Sequence, residues 1–181
     1  DQGEDLGVKT WPPDRWKIGG GTVWGWISYD PELDLIYYGT SNPGPWNHTQ
    51  RLGDNKWSLT VFARDPDDGA AKWAYQIEEH DLFDYDGINE NILLDLPIDG
   101  EERKVLVRPE RNGYMYVIDR ETGQVLSADQ FDIQVPAQDE AAELADGTYA
   151  PFSLTSGASV LTAGTVEESE PGIALYSVNG N

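Results

Sequence analysis

The chain has 181 residues and a formal net charge of -21, from 12 Lys+Arg against 33 Asp+Glu. That length suffices for one domain with a real core, and a field of that sign repels phosphate backbones, which argues against a nucleic-acid partner. No Cys is present, so disulfides and thiolate metal sites are excluded, and without a run of about 18 apolar residues there is no membrane span.

Seven Trp and nine Tyr beside 19 Gly and 11 Pro point to an all-β, turn-rich fold. The sequence opens at Asp1 without an initiator Met or a signal peptide, and reads as a stretch of a longer, processed or truncated polypeptide. Residues 1–23, broken by Trp11-Pro12-Pro13 and Gly19-Gly20-Gly21, read as an ordered loop. The alternation in Val23–Tyr29 predicts a first strand, which Asp30-Pro31-Glu32 turns into Leu35–Thr40 as a hairpin. Ser41–Asn47, dense in Pro and Gly, reads as a fixed loop.

Strands are then predicted over Trp57–Ala63 and Ala71–Gln76, joined by a turn through Asp65-Pro66-Asp67-Asp68-Gly69. Further strands follow at Ile92–Leu96, Lys104–Arg108, Tyr114–Ile118 and Gln124–Ala128. Pro136–Asp146 is acidic and Ala-rich, either a short helix or an insert, and Ser159–Val166 and Ile173–Val178 read as two last strands. A repeat links the two halves: Asp65 to Asp119 and Gly69 to Gly123 are each 54 positions apart. Four short strands per unit of that length signal propeller blades, with Asp-x-x-x-Gly as the turn between a blade's last two strands. The Trp or Leu that follows the turn is expected to pack between adjacent blades.

Between the halves lies His80–Asn91, three aspartates and a glutamate among aromatics, closed by the turn-prone Gly87. In extended backbone Asp84 and Asp86 leave the same side of the chain, about 7 Å apart at Cα. Such a pair suits a metal ligand beside a proton acceptor; on composition alone the stretch also reads as a solvated acidic loop.

The residues around it resemble the quinoprotein alcohol dehydrogenases, eight-bladed propellers that use pyrroloquinoline quinone (PQQ) and a metal. The resemblance covers roughly residues 5–131. It rests on Gly19–Trp26, Gly39–Asn47, Gly53–Trp57, the acidic stretch and Arg108–Gly113, five motifs in matching order. It implies an all-β partial propeller of about three four-stranded antiparallel blades. Residues 1–131 would carry the active-site motifs, and 132–181 would form a divergent acidic segment with two strands.

By the same resemblance Trp24 is the indole floor of the PQQ site, since a flat quinone stacks on a large aromatic face. The alternative for Trp24 is a blade-core position. Asn42 corresponds to the amide ligand of the metal, or merely opens the Asn-Pro turn. Asp84 corresponds to the base that takes the alcohol proton and to a metal ligand. Arg111 corresponds to the guanidinium that contacts the quinone oxygens, with a structural ion pair as its alternative. Asp86 stands where the calcium-dependent branch has a small residue, and so implies a lanthanide as the metal, with Ca²⁺ as the alternative. A trivalent hard ion gains from another anionic oxygen; the other reading of Asp86 is a turn cap before Gly87.

The family's glutamate ligand and its vicinal disulfide find no counterpart among these residues. The resemblance further implies oxidation of a small primary alcohol to an aldehyde, a c-type cytochrome as electron acceptor, a periplasmic location and a homodimeric parent enzyme. A non-catalytic partial propeller or metal-binding module without cofactor is the competing expectation.

Overall fold

The computed structural model describes residues 5–130, which form two four-stranded antiparallel sheets. The first sheet holds β1 (Ser28–Asp30), β2 (Leu35–Gly39), β3 (Thr60–Arg64) and β4 (Ala71–Gln76) in sequence order. The second holds β5 (Ile92–Ile98), β6 (Glu101–Pro109), β7 (Tyr114–Asp119) and β8 (Val125–Gln130), again in order. Such meandering sheets are blades, and two of the expected three fall within the described residues. The predicted strands at 159–166 and 173–178, with the acidic segment before them, lie outside it.

The repeat is borne out in backbone detail. Gly69 donates to the Asp65 carbonyl at 2.9 Å and Gly123 to the Asp119 carbonyl at 2.8 Å, with φ of 75° and 79°. β3 and β7 even break register at equivalent places, Ala63/Arg64 and Val117/Ile118. Trp73 packs across the seam as expected: a Cβ added at Gly123 would come within 2.7 Å of its ring. Its indole N–H donates to the Arg120 carbonyl at 3.1 Å, and the Tyr37 hydroxyl reaches the same oxygen at 2.8 Å. Beneath them Tyr37, Val61, Leu106, Tyr116 and Ile118 form one buried core spanning both sheets. Burial of such side chains stabilises by about 1.5–3 kcal/mol each.

Three expectations need correction. The first strand does not begin at Val23; β1 is only Ser28–Asp30. Residues 23–27 instead run irregularly against the acidic loop, where a Cβ at Gly25 would fall 2.1 Å from the Ile88 carbonyl oxygen. The strand predicted from Trp57 starts at Thr60, because Leu59 sits at φ 47° and lends its backbone to Ser41 and Ile77. The opening loop also contains short helical turns, Leu6–Lys9, capped by the Asp5 carboxylate on Gly7 N–H at 2.7 Å, and Arg15–Ile18.

Candidate active site

The acidic stretch crosses from β4 to β5, and its shape follows from how its backbone polar groups are satisfied. Asp81 is buried, and its two carboxylate oxygens accept from the amides of Phe83 at 2.8 Å and Tyr85 at 3.0 Å. This Asx-type closure brackets Asp84 between two tied amides. Asp84 and Asp86 both adopt left-handed backbone, φ 62° and 50°, as aspartate tolerates better than most residues. The extended geometry expected from the sequence is therefore absent. The loop curls, and the two carboxyl groups come within hydrogen-bonding reach of each other.

That juxtaposition has an electrostatic consequence. Burial, then the charge and hydrogen bond of Asp86, push the Asp84 carboxyl up to about 6, against a smaller downward pull from Arg111. Asp86 is buried and held from two sides: its Oδ1 accepts from the Asn42 backbone N–H at 3.2 Å and its Oδ2 pairs with Arg111 Nη1 at 3.3 Å. Asn42 meets the cluster through its backbone, not its amide oxygen, while its Nδ2 turns to the Pro43 carbonyl at 3.3 Å. Thus four of the five residues singled out in the sequence, Asn42, Asp84, Asp86 and Arg111, come together. Trp24 is 61 % exposed and has no hydrogen bond or ion pair tying it to that cluster; its neighbour Gly25 packs against Ile88 of the loop.

Two carboxylates crowded together suit a hard cation, which would relieve the repulsion that raises Asp84. The residues present fit such an ion. They do not enclose it: among the described residues no three His, Cys, Asp or Glu side chains converge. The exposed Trp24 face and the part-exposed Arg111 guanidinium likewise fit a flat, anionic ring system.

Sequence reasoning missed the groups that hold the loop. Arg108 is fully buried, paired with Glu110, and donates to Asn91 Oδ1 at 2.8 Å and to the Gly87 carbonyl at 2.9 Å. On the other flank the buried Arg51 reaches the Asp81 carbonyl at 2.6 Å. Arg108 lies in β6 on the same face as the buried Leu106, but arginine is seldom buried and neither it nor Arg51 was singled out; Arg108 and Glu110 did fall in one of the quoted motifs.

A model of the PQQ glucose/ethanol/alcohol dehydrogenase β-propeller domain matches residues 2–172. The lanthanide-dependent methanol dehydrogenase of Methylorubrum extorquens is 58% identical over 130 residues, covering 72% of this chain and 22% of that protein. The enzyme of the same name from Methylacidiphilum fumariolicum is 61% identical over 126 residues, covering 69% and 21%. Among solved structures, a europium-containing methanol dehydrogenase superposes with a TM-score of 0.71 at 52% identity, covering 83% of this chain and 26% of that one. The chain thus spans about a fifth of the length of the curated relatives it matches. Sheet topology, repeat and comparisons agree that this chain belongs to the PQQ-dependent glucose/ethanol/alcohol dehydrogenase β-propeller family.

Proposed function

We propose that these blades carry part of the active site of a quinoprotein alcohol dehydrogenase that oxidises a small primary alcohol to the aldehyde. The observation behind the reading is Asp84, a carboxyl pushed up to about 6 in a curled loop that also presents Asp86, Asn42 and Arg111. PQQ is the cofactor, with a lanthanide as the metal and Ca²⁺ as the alternative. When bound, the quinone supplies the electrophilic carbon that accepts the hydride, and the ion supplies Lewis acidity beside it.

The chain's own residues do the rest. Asp84, ionised, takes the hydroxyl proton of the alcohol, which it can do when the substrate oxygen lies within hydrogen-bond reach. Asp84, Asp86 and the Asn42 amide offer hard oxygen donors to the ion. Arg111 stabilises negative charge on the cofactor oxygens, and Trp24 provides the flat apolar floor. Asp86 is the residue that favours a trivalent ion over Ca²⁺, by adding an anionic oxygen. For the parent enzyme the reading gives a periplasmic location, a c-type cytochrome acceptor and a homodimer. Residues 1–131 form the site-bearing blades and 132–181 a divergent acidic segment.

The test is Asp84→Asn in the full-length parent: alcohol oxidation is expected to vanish while metal stays bound, and near-normal turnover would overturn the base assignment. A second reading, a partial propeller that binds metal without catalysis, draws on the donor set, which is incomplete among the described residues. Terbium titration of this chain with and without PQQ separates the two. Emission sensitised by Trp and Tyr that PQQ alters supports the first, and emission indifferent to PQQ the second.

A further inference from the structure

Arg51 occupies an unusual position for a guanidinium. It is 2 % exposed, and it donates to three neutral acceptors: Nε to the Pro45 carbonyl at 2.9 Å, Nη1 to Asn55 Oδ1 at 2.8 Å, and Nη2 to the Asp81 carbonyl at 2.6 Å. Asn55 returns a bond from its Nδ2 to the Arg51 carbonyl at 2.6 Å, which fixes the fork from below. The three acceptors belong to three segments. Pro45 ends the turn that begins at Asn42, Asn55 lies in the loop before β3, and Asp81 begins the acidic loop.

The geometry points to Arg51 as the positioning residue that locks the Asn42 turn and the Asp84–Asp86 loop into one rigid ligand frame. The route is short. On one side, Arg51 holds Pro45, three residues from the Asn42 amide. On the other it holds the backbone of Asp81, whose carboxylate ties the amides of Phe83 and Tyr85 on either side of Asp84. A planar fork with donors at fixed angles can hold three acceptors at once, whereas a lysine ammonium is a point charge on a flexible stem. Outer groups of this kind set the orientation of metal-binding side chains, and their loss typically costs about 10- to 100-fold in metal affinity. The bonds of Arg51 go to the protein's own backbone and to Asn55, so it acts through the two loops.

This inference rests on the metal reading given above, so its test includes a measurement that needs no metal. Amide hydrogen exchange is followed at Phe83 and Tyr85 in the 181-residue chain and in Arg51→Lys, with the β6 and β7 amides as a folding reference. Exchange at Phe83 and Tyr85 is expected to accelerate at least about tenfold while Leu106 and Val117 stay protected. Unchanged protection at both loop amides would overturn the inference. If Arg51→Lys loses protection throughout, Asn55→Ala, which removes the Nη1 acceptor and the Nδ2 bond to the Arg51 carbonyl while keeping the guanidinium, is read in its place by the same criterion.

Terbium affinity is then measured on the same proteins by emission sensitised through Trp and Tyr. Wild-type binding weakened about 10- to 100-fold in Arg51→Lys supports the positioning role; equal affinities overturn it and leave the metal reading intact. No saturable terbium emission from the wild-type chain defeats the metal reading itself, and the exchange data then decide whether Arg51 sets the loop geometry.

Discussion

Two aspartates in this chain have been moved in opposite directions, and the contrast separates what holds the blades together from what the loop offers a ligand. At the seam, burial alone would raise Asp30, yet the amides of Glu32 and Leu33 and the guanidinium of Arg120 together hold its carboxyl below the usual range. In the loop, burial raises Asp84 and the neighbouring Asp86 carboxyl adds to the rise, up to about 6. The seam matches opposite charges; the loop gathers like charges. A fold seldom crowds carboxylates at its own cost in stability unless something else completes them, the part that the proposed cation would play.

The strongest way to break the contrast is at the seam. Arg120 Nε meets Asp30 Oδ2 at 2.6 Å and its Nη1 meets the Leu94 carbonyl at 2.7 Å, both groups buried or nearly so. Arg120→Met strands Asp30 as an unpaired buried charge and is expected to lower unfolding stability by about 3–5 kcal/mol in a denaturant titration. Asp30→Asn added to it should recover part of that loss. The acidic loop, whose ion pair Asp86–Arg111 involves neither Asp30 nor Arg120, should keep its metal response wherever the variant remains folded.

A smaller effect separates the loop's two flanks by pH. His80 is fully buried with Nδ1 at 2.8 Å from the Gly53 carbonyl, and burial holds its imidazole down to about 4, aided by Arg51 and His48 and opposed by that carbonyl and Asp54. The folded state therefore favours the neutral ring. Its contribution is present above the ordinary value of about 6.5 and is lost as pH falls toward 4, on the order of 2–3 kcal/mol. His80→Gln should flatten this part of the pH–stability curve between pH 6.5 and 4. An unchanged curve would show that the imidazole is not held neutral.

The repeat explains why so much of the fold could be read in advance. A spacing of 54 positions fixes two turns that differ by 0.1 Å in their hydrogen bonds, because Gly at φ near 75–79° allows few alternatives. β4 was legible to the residue, and Trp73 across the seam follows from its place after the turn. The misread strand at Val23 has an equally physical cause. Trp24 and Trp26 imitate strand alternation, yet both are solvent-facing, 61 % and 71 % exposed, on backbone that leans against Ile88 instead of pairing with β2. That Asn42, Asp84, Asp86 and Arg111 belong to one cluster was legible in the sequence, but the shape of the cluster was not. The curl at Asp84 and Asp86 depends on Arg51, 30 positions before the carbonyl it holds, and on Arg108, 21 positions after Gly87. Contacts of that separation leave no local pattern.

The finest test of the contrast is Asp84→Asn in this chain without metal. The folded-state carboxyl is raised from 3.8 to about 6, so its favourable contribution belongs to the protonated form, is complete below 3.8, and is lost as pH rises through 6. At pH 7 the ionised Asp84 stands against Asp86 as an unfavourable pair, and the amide should stabilise the chain by under about 1 kcal/mol, given how much water reaches the site. At pH 3.5 the gain should disappear. Saturating lanthanum should reverse the order at pH 7, since the cation stabilises whichever chain offers both carboxylates. Denaturant midpoints at the two pH values, with and without lanthanum, check all three statements. An Asp84→Asn chain that gains nothing at pH 7 would mean that the two carboxyl groups do not repel, and that the loop is shaped by its anchors alone.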